Sequence, residues 1–328
     1  MILRNAYKGI RQIIIDPEGE YENVVNGLGG KVINKENFNI LYIFEKFAKN
    51  NKDFLYKKIN SVTNALCESY NIKDFNMVKR CVSKAYKKYG ITNDIDSLYK
   101  MVVGDTFYTK PKYREDFPSI YDLKQIAKKE FKETNEDFIK LKNIGINANK
   151  RECNMESELY SFNLKNKTTK EITNLMKLYI PFIYEMIKEE TLIYFDEIWR
   201  LIANTKDSFV IKNIYDMFKT LRKKKAGIIL VSQDITDLFN VDNGNLGKSI
   251  LNNSNMKVFF KMEWTDLEVL ERLKISKEKL DKIKGLDRGT CYINLGNTNF
   301  NLEVRATSYE QILIEGEKKH EKNISGYE

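Results

Sequence analysis

TLIYFDEIWR, residues 191–200, is the stretch whose reading decides the fold. Its apolar run, Leu192-Ile193-Tyr194-Phe195, shows no alternation, the pattern of a strand buried on both faces of a mainly parallel sheet. Two adjacent acids, Asp196 and Glu197, end the run. In open α/β sheets, ligands bind at the C-terminal ends of such strands. An apolar strand ending in Asp-Glu has the layout of a Walker B element: the first acid holds Mg²⁺, usually through water, and the second polarises the water that attacks the terminal phosphate. Taken alone, the same residues also describe a strand followed by an acid that caps a helix.

Outward from this stretch the pattern recurs. Ile13-Ile14-Ile15 reads as a second buried strand that follows a short helix over Met1–Gln12, and it runs into Asp16-Pro17-Glu18-Gly19-Glu20-Tyr21. Proline and glycine make that exit a fixed turn, which keeps Asp16 and Glu18 near the strand's C-terminal edge. Lys31-Val32-Ile33, after Gly29-Gly30, reads as another short strand. Ile228-Ile229-Leu230-Val231 is a third apolar run, ending in Ser232-Gln233-Asp234. A glutamine there suits either contact with the water or phosphate or a plain loop hydrogen bond. Before it, Ile211, Ile214, Phe218 and Leu221 share one helix face, and Arg222-Lys223-Lys224-Lys225 closes that helix, favourably for its dipole.

Between about Lys46 and Ile187, Gly and Pro are sparse, charges are dense and apolar residues recur at helical spacing. This reads as a largely helical insertion between two strands of the sheet. Ser119 is the expected cap of a helix beginning there. The Tyr and Phe residues that interleave with Lys are expected in the core rather than on a stacking surface for single strands. Later, Lys257–Lys261 reads as a strand, and Thr265-Asp266-Leu267-Glu268 as a capping box ahead of Leu270 and Leu273. Ser276 and Gly285 bracket a helix. Thr290–Leu295 and Asn301–Val304 form a hairpin. The organisation expected is 1–45 as the first part of the α/β core, 46–187 as the insertion, 188–315 as the rest of the core and 316–328 as a polar tail.

Composition narrows the chemistry. The 328 residues are 42% hydrophobic and 12% aromatic, enough for a sizeable core. With 55 basic and 46 acidic residues the net charge is +9, which suits an anionic partner such as nucleic acid or an acidic membrane surface; the general richness in Asn, Ile and Lys is the plainer source of it. The single histidine, His320, leaves Ser-His-Asp and Cys-His mechanisms without candidates. Cys67, Cys81, Cys153 and Cys291 form no CxxC pair, so neither a zinc site nor a disulfide framework is expected. No apolar run approaches the roughly 18 residues of a membrane span.

One stretch invites a wrong reading. Gly247-Lys248-Ser249 looks like the end of a phosphate loop, but G-x-x-x-x-G-K-[ST] requires a glycine where Asp242 stands. No other G-K-[ST] has a suitable context, so the sequence holds a Walker B element without a Walker A partner.

The ordered set IIIDPEGEY, a helical insertion, LIYFDEIW, a helix ending in an Arg-Lys run, ILVSQD, KVFFK and a terminal hairpin resembles the C-terminal ATPase domain of the large conjugative-transfer, or type IV secretion, ATPases. These are TraC/TrsE-type relatives of the HerA/FtsK translocase class. The resemblance spans nearly the whole chain, from Ile13 to about Glu315. It implies a RecA-like α/β fold and an ATP hydrolase using ATP and Mg²⁺. It also implies a homo-oligomeric, hexameric ring at the cytoplasmic face of a membrane, which works with other secretion-channel and coupling proteins to drive pilus assembly or DNA or protein transfer. By resemblance, Asp196 is the Mg²⁺-associated acid, Glu197 the catalytic base, Gln233 the sensor of the terminal phosphate, and Arg222 a finger reaching a neighbouring subunit's nucleotide. Relatives usually carry glycine before that arginine, where this chain has Leu221. Asp16 and Glu18 match the family's acidic turn beside the nucleotide. The family's P-loop would lie just upstream of Met1–Gln12, so an incomplete motor, or a non-catalytic assembly module that keeps the subunit interface, is the alternative reading.

Overall fold

A computed structural model describes residues 1–103, 109–146, 156–197, 201, 213–214, 216–217, 220–240, 244–272 and 275–315. The chain divides into two compact units, Met1–Phe195 with Thr205–Ile229 and Asp196–Asn204 with Leu230–Glu328.

The first unit is built on a five-stranded sheet: β1 (Gln12–Asp16), β2 (Lys31–Ile33), β5 (Leu159–Asn163), β6 (Leu192–Phe195) and β7 (Gly227–Leu230). Their order is β2-β5-β1-β6-β7, and β2, β5, β1 and β6 run parallel. The absence of alternation in β1 has a direct cause, since Ile13, Ile14 and Ile15 are all fully buried. On one face Ile14, Leu159 and Tyr194 pack with Val25 of α2 (Glu22–Gly27). On the other, Phe162 of β5 meets Tyr179 of α8 (Thr169–Met186) with ring centroids 4.8 Å apart. Gly30 leads into β2 where only glycine fits, because a Cβ would lie 2.8 Å from the Leu159 carbonyl oxygen.

The expected helices of the insertion are present as α3 (Glu45–Lys49), α4 (Phe54–Tyr70), α5 (Phe75–Lys88), α6 (Ile120–Glu130), α7 (Glu136–Lys142) and α8. Ser119 caps α6 in a reciprocal capping box with Asp122. Most of the insertion's aromatic residues are core, as expected: Phe54, Tyr86, Phe117, Phe138, Tyr179 and Phe182 are buried, while Tyr56 is exposed; Phe182 packs ring against ring with the buried Phe38 and Phe44 that precede the insertion. Two features depart from an all-helical reading of 46–187. A hairpin of β3 (Tyr99–Val103) and β4 (Thr109–Tyr113) follows α5, and β5 belongs to the main sheet, between β2 and β1. The opening helix, α1 (Ile2–Tyr7), is shorter than Met1–Gln12. Gly9 at φ +68° lies between it and β1, which already includes Gln12.

The second unit carries an antiparallel sheet of β8 (Met256–Phe259), β9 (Thr290–Leu295) and β10 (Thr298–Glu303). This is the expected strand and hairpin, shifted by one to three residues. Phe259 and Tyr292, opposite each other in register, join a core with Ile235, Leu267, Leu270, Leu280, Ile283 and Leu286. Ser276 and Gly285 bracket the helix Lys277–Lys284 as read from sequence. The capping box at Thr265 is corrected: the helix spans Trp264–Arg272, and Leu267 N donates to the Glu263 carbonyl. Thr265 is therefore inside the helix, and Thr265 and Glu268 do not form the expected cap. Residues 198–200 and 316–328, with Ile211, Phe218, Leu273, Cys153 and His320, lie outside the described residues.

Candidate active site

At the C-terminal edge of the first unit's sheet, the turn after β1 is assembled around one carboxylate. Asp16 is fully buried. Its Oδ1 accepts from the backbone N–H of Gly19 at 2.7 Å and of Glu20 at 3.1 Å, and its Oδ2 accepts from Tyr21 N–H at 3.1 Å. Ser161 of β5 donates its hydroxyl to Oδ2 at 3.3 Å. Four donors occupy most of what a carboxylate can accept. Gly19 is needed for two reasons: its φ is +70°, and a Cβ would sit 2.8 Å from Lys165 Cδ. Glu18 is exposed on the same turn. The geometry suits Asp16 to shaping the turn rather than to offering a free oxygen.

β6 ends level with β1, since Ile15 pairs with Phe195. The next two residues are Asp196 and Glu197, both buried, at 6% and 5% exposure. Glu197 has φ +42°, in the left-handed region where a non-glycine residue carries a cost of about 1–2 kcal/mol. In the second unit, which contains Asp196 and Glu197, Gln233 is exposed just beyond β7. The Ser232 hydroxyl donates to the Asp234 carbonyl at 2.7 Å, and Asp234 Oδ1 accepts from Thr236 N–H at 2.7 Å, opening the helix Ile235–Asn240. Arg222 begins a 3-10 turn, Arg222–Lys224, in place of a continuing helix; its side chain lies outside the described atoms. Gly247, Lys248 and Ser249 sit inside the helix Asn245–Asn253.

Among the described residues no group of three or more His, Cys, Asp or Glu side chains is placed to hold a metal. Among the described residues, no helix is long and apolar enough to cross a membrane.

The parallel sheet with buried acids after an interior strand defines a RecA-like α/β fold. The particular fold is that of VirB4 of Thermoanaerobacter pseudethanolicus, which superposes with a TM-score of 0.63 at 22% identity over 94% of this chain and 85% of that one. The conjugative coupling protein TrwB is similar at a TM-score of 0.51 and 12% identity, over 94% and 81% of the two chains. TrwB in complex with the ATP analogue ADPNP gives a TM-score of 0.50 at 11% identity, over the same shares of the chains. In sequence, 124 residues are 32% identical to the type IV secretion system protein CagE of Helicobacter pylori (strain ATCC 700392 / 26695). This match covers 36% of the chain and 12% of CagE. No protein-family model matches. The resemblance to type IV secretion ATPases read from the motifs thus recurs both in the fold and in a partial sequence match.

Four features of the region escaped the sequence reading. Ser161 and β5 sit in an alternating, charge-flanked segment without Val or Ile. The acids Asp234 and Asp266 have no recognisable spacing.

Proposed function

We propose that the chain is the ATPase motor portion of a type IV secretion or conjugative-transfer system. The observation that carries this reading is the buried strand β6 ending in two buried acids, with the second, Glu197, held in a left-handed backbone conformation. Strained backbone of this kind clusters at functional sites. In the proposed roles, Asp196 would hold Mg²⁺, which neutralises phosphate charge when bound. Glu197 takes the proton of the attacking water. Gln233 orients that water or contacts the terminal phosphate, and Arg222 serves a neighbouring subunit's site. Asp16 and Glu18 belong to the turn beside the nucleotide, Asp16 as its organiser. The working form is a homo-oligomeric ring, hexameric by resemblance, at the inner face of a membrane, with secretion-channel proteins and DNA among its partners.

A second reading rests on one sequence fact, that the 328 residues contain no G-x-x-x-x-G-K-[ST] loop. On that reading the chain keeps an assembly surface and binds no nucleotide. Calorimetric titration of Mg-ATP separates the two. The motor reading expects tight binding, and its loss in Asp196→Ala. Robust oligomerisation with no Mg-ATP binding favours the assembly module.

A further inference from the structure

We propose that Asp266 is a positioning residue that clamps the start of the helix Ile235–Asn240 and thereby fixes Gln233 at the end of β7. The proposal rests on the reading of Gln233 as the phosphate sensor.

Asp266 lies in the first turn of the helix Trp264–Arg272 and is 6% exposed. Its Oδ1 accepts three hydrogen bonds from the neighbouring segment: from Ile235 N–H at 3.2 Å, from Thr236 N–H at 3.4 Å and from the Thr236 hydroxyl at 3.1 Å. Asp234 grips the same amide from the other side, with its Oδ1 2.7 Å from Thr236 N. The anchor is rigid, because Leu267 and Leu270 of Asp266's own helix and Ile235 of the clamped one are buried in one core. Only Asp234 separates Gln233 from Ile235, so the clamp acts two residues, about 7 Å of chain, from the glutamine. Gln233 itself is exposed and follows a strand of only four residues. The clamp supplies what the strand does not: a fixed direction for the loop after it.

Burial and the neighbouring Asp234 raise the Asp266 carboxyl above its ordinary value, against the donors of Thr236. Asparagine at 266 keeps the acceptor: its carbonyl oxygen accepts from Ile235 and Thr236. Alanine keeps none.

The test uses the intact chain without nucleotide. Backbone amide NMR reads the resonances of residues 232–236 and their hydrogen exchange in Asp266→Ala and Asp266→Asn. Asp266→Ala is expected to accelerate exchange at Ile235 and Thr236 by about tenfold, the loss of roughly one hydrogen bond's worth of protection. It should also move the Gln233 amide toward its unstructured position, while Tyr292 keeps its protection. Asp266→Asn should stay within about twofold of the parent. If Asp266→Ala does not fold, Thr236→Ala, which removes only the hydroxyl arm, should give a smaller change in the same direction. An unmoved Gln233 resonance in the alanine variants overturns the proposal, as does Asp266→Asn behaving like Asp266→Ala. A clamp that passes while Gln233→Ala leaves ATP hydrolysis unchanged would remove the sensor reading alone.

Discussion

Lys58 and Glu185 form the most demanding contact in the first unit. Lys58 on α4 and Glu185 on α8 have side chains 1% and 5% exposed, with Nζ 2.6 Å from Oε2. The ammonium lies 5.2 Å from the Phe182 ring centroid. The pair ties α4 to the helix that leads into β6. Burial pushes the Lys58 ammonium down and the Glu185 carboxyl up, each against the pull of the other. Removing one partner leaves a lone buried charge, which costs about 3–5 kcal/mol, whereas replacing both by apolar residues of similar volume is often close to neutral. Lys58→Met and Glu185→Leu should therefore each lower the melting temperature by about 6–20 °C, with the double variant within a few degrees of the parent. The two single variants should also differ in the sign of their pH dependence. In Lys58→Met the folded Glu185 value is raised above its unfolded one, so stability is full at low pH and falls as pH rises, by up to about 1.4 kcal/mol per pH unit. In Glu185→Leu the folded Lys58 value is depressed, so stability falls as pH drops. Urea denaturation of all four chains from pH 5 to 8 reads both effects. Equal losses in the single and double variants, or pH slopes of the same sign, would refute the reasoning.

Other expectations follow from single residues. Asp16→Ala strands three backbone N–H groups and the Ser161 hydroxyl, and should cost about 2–4 kcal/mol in denaturant unfolding, with Asp16→Asn intermediate because it keeps one acceptor oxygen. Glu197→Gly removes the penalty of φ +42° together with the buried carboxylate, and should abolish any hydrolysis while the chain stays folded, as melting and turnover measure together. Asp122 is held below its ordinary value because bonds from Ser119 N–H, Lys88 and Tyr89 outweigh the upward push of burial. Its contribution is complete above about pH 4 and is lost as pH falls through the depressed folded value, so Asp122→Asn should flatten the acid limb of the stability curve.

The legible parts of this protein are those whose burial leaves a one-dimensional trace. β1 and β6 were readable because strands covered on both faces carry unbroken apolar runs, and both end in acids. β5 carries the same burial but spends one position on Ser161, whose hydroxyl serves Asp16, and so breaks the run. The capping box at Thr265 failed by helix register: a start one residue before Thr265 turns Asp266 from a cap neighbour into a clamp on a separate helix. Asp16 was readable as an acid in a fixed turn, but not as the acceptor around which that turn closes, because its partners come from both its own turn and a strand 145 residues away.

The central claim is that Asp196 and Glu197 are the working acids of an ATPase. Its most direct test is steady-state Mg-ATP hydrolysis by the protein, compared with the same protein carrying Glu197→Gln. The account predicts that turnover falls by about 10²-fold or more while Mg-ATP binding persists, as expected when a general base is removed. Unchanged hydrolysis in the Gln variant would contradict it.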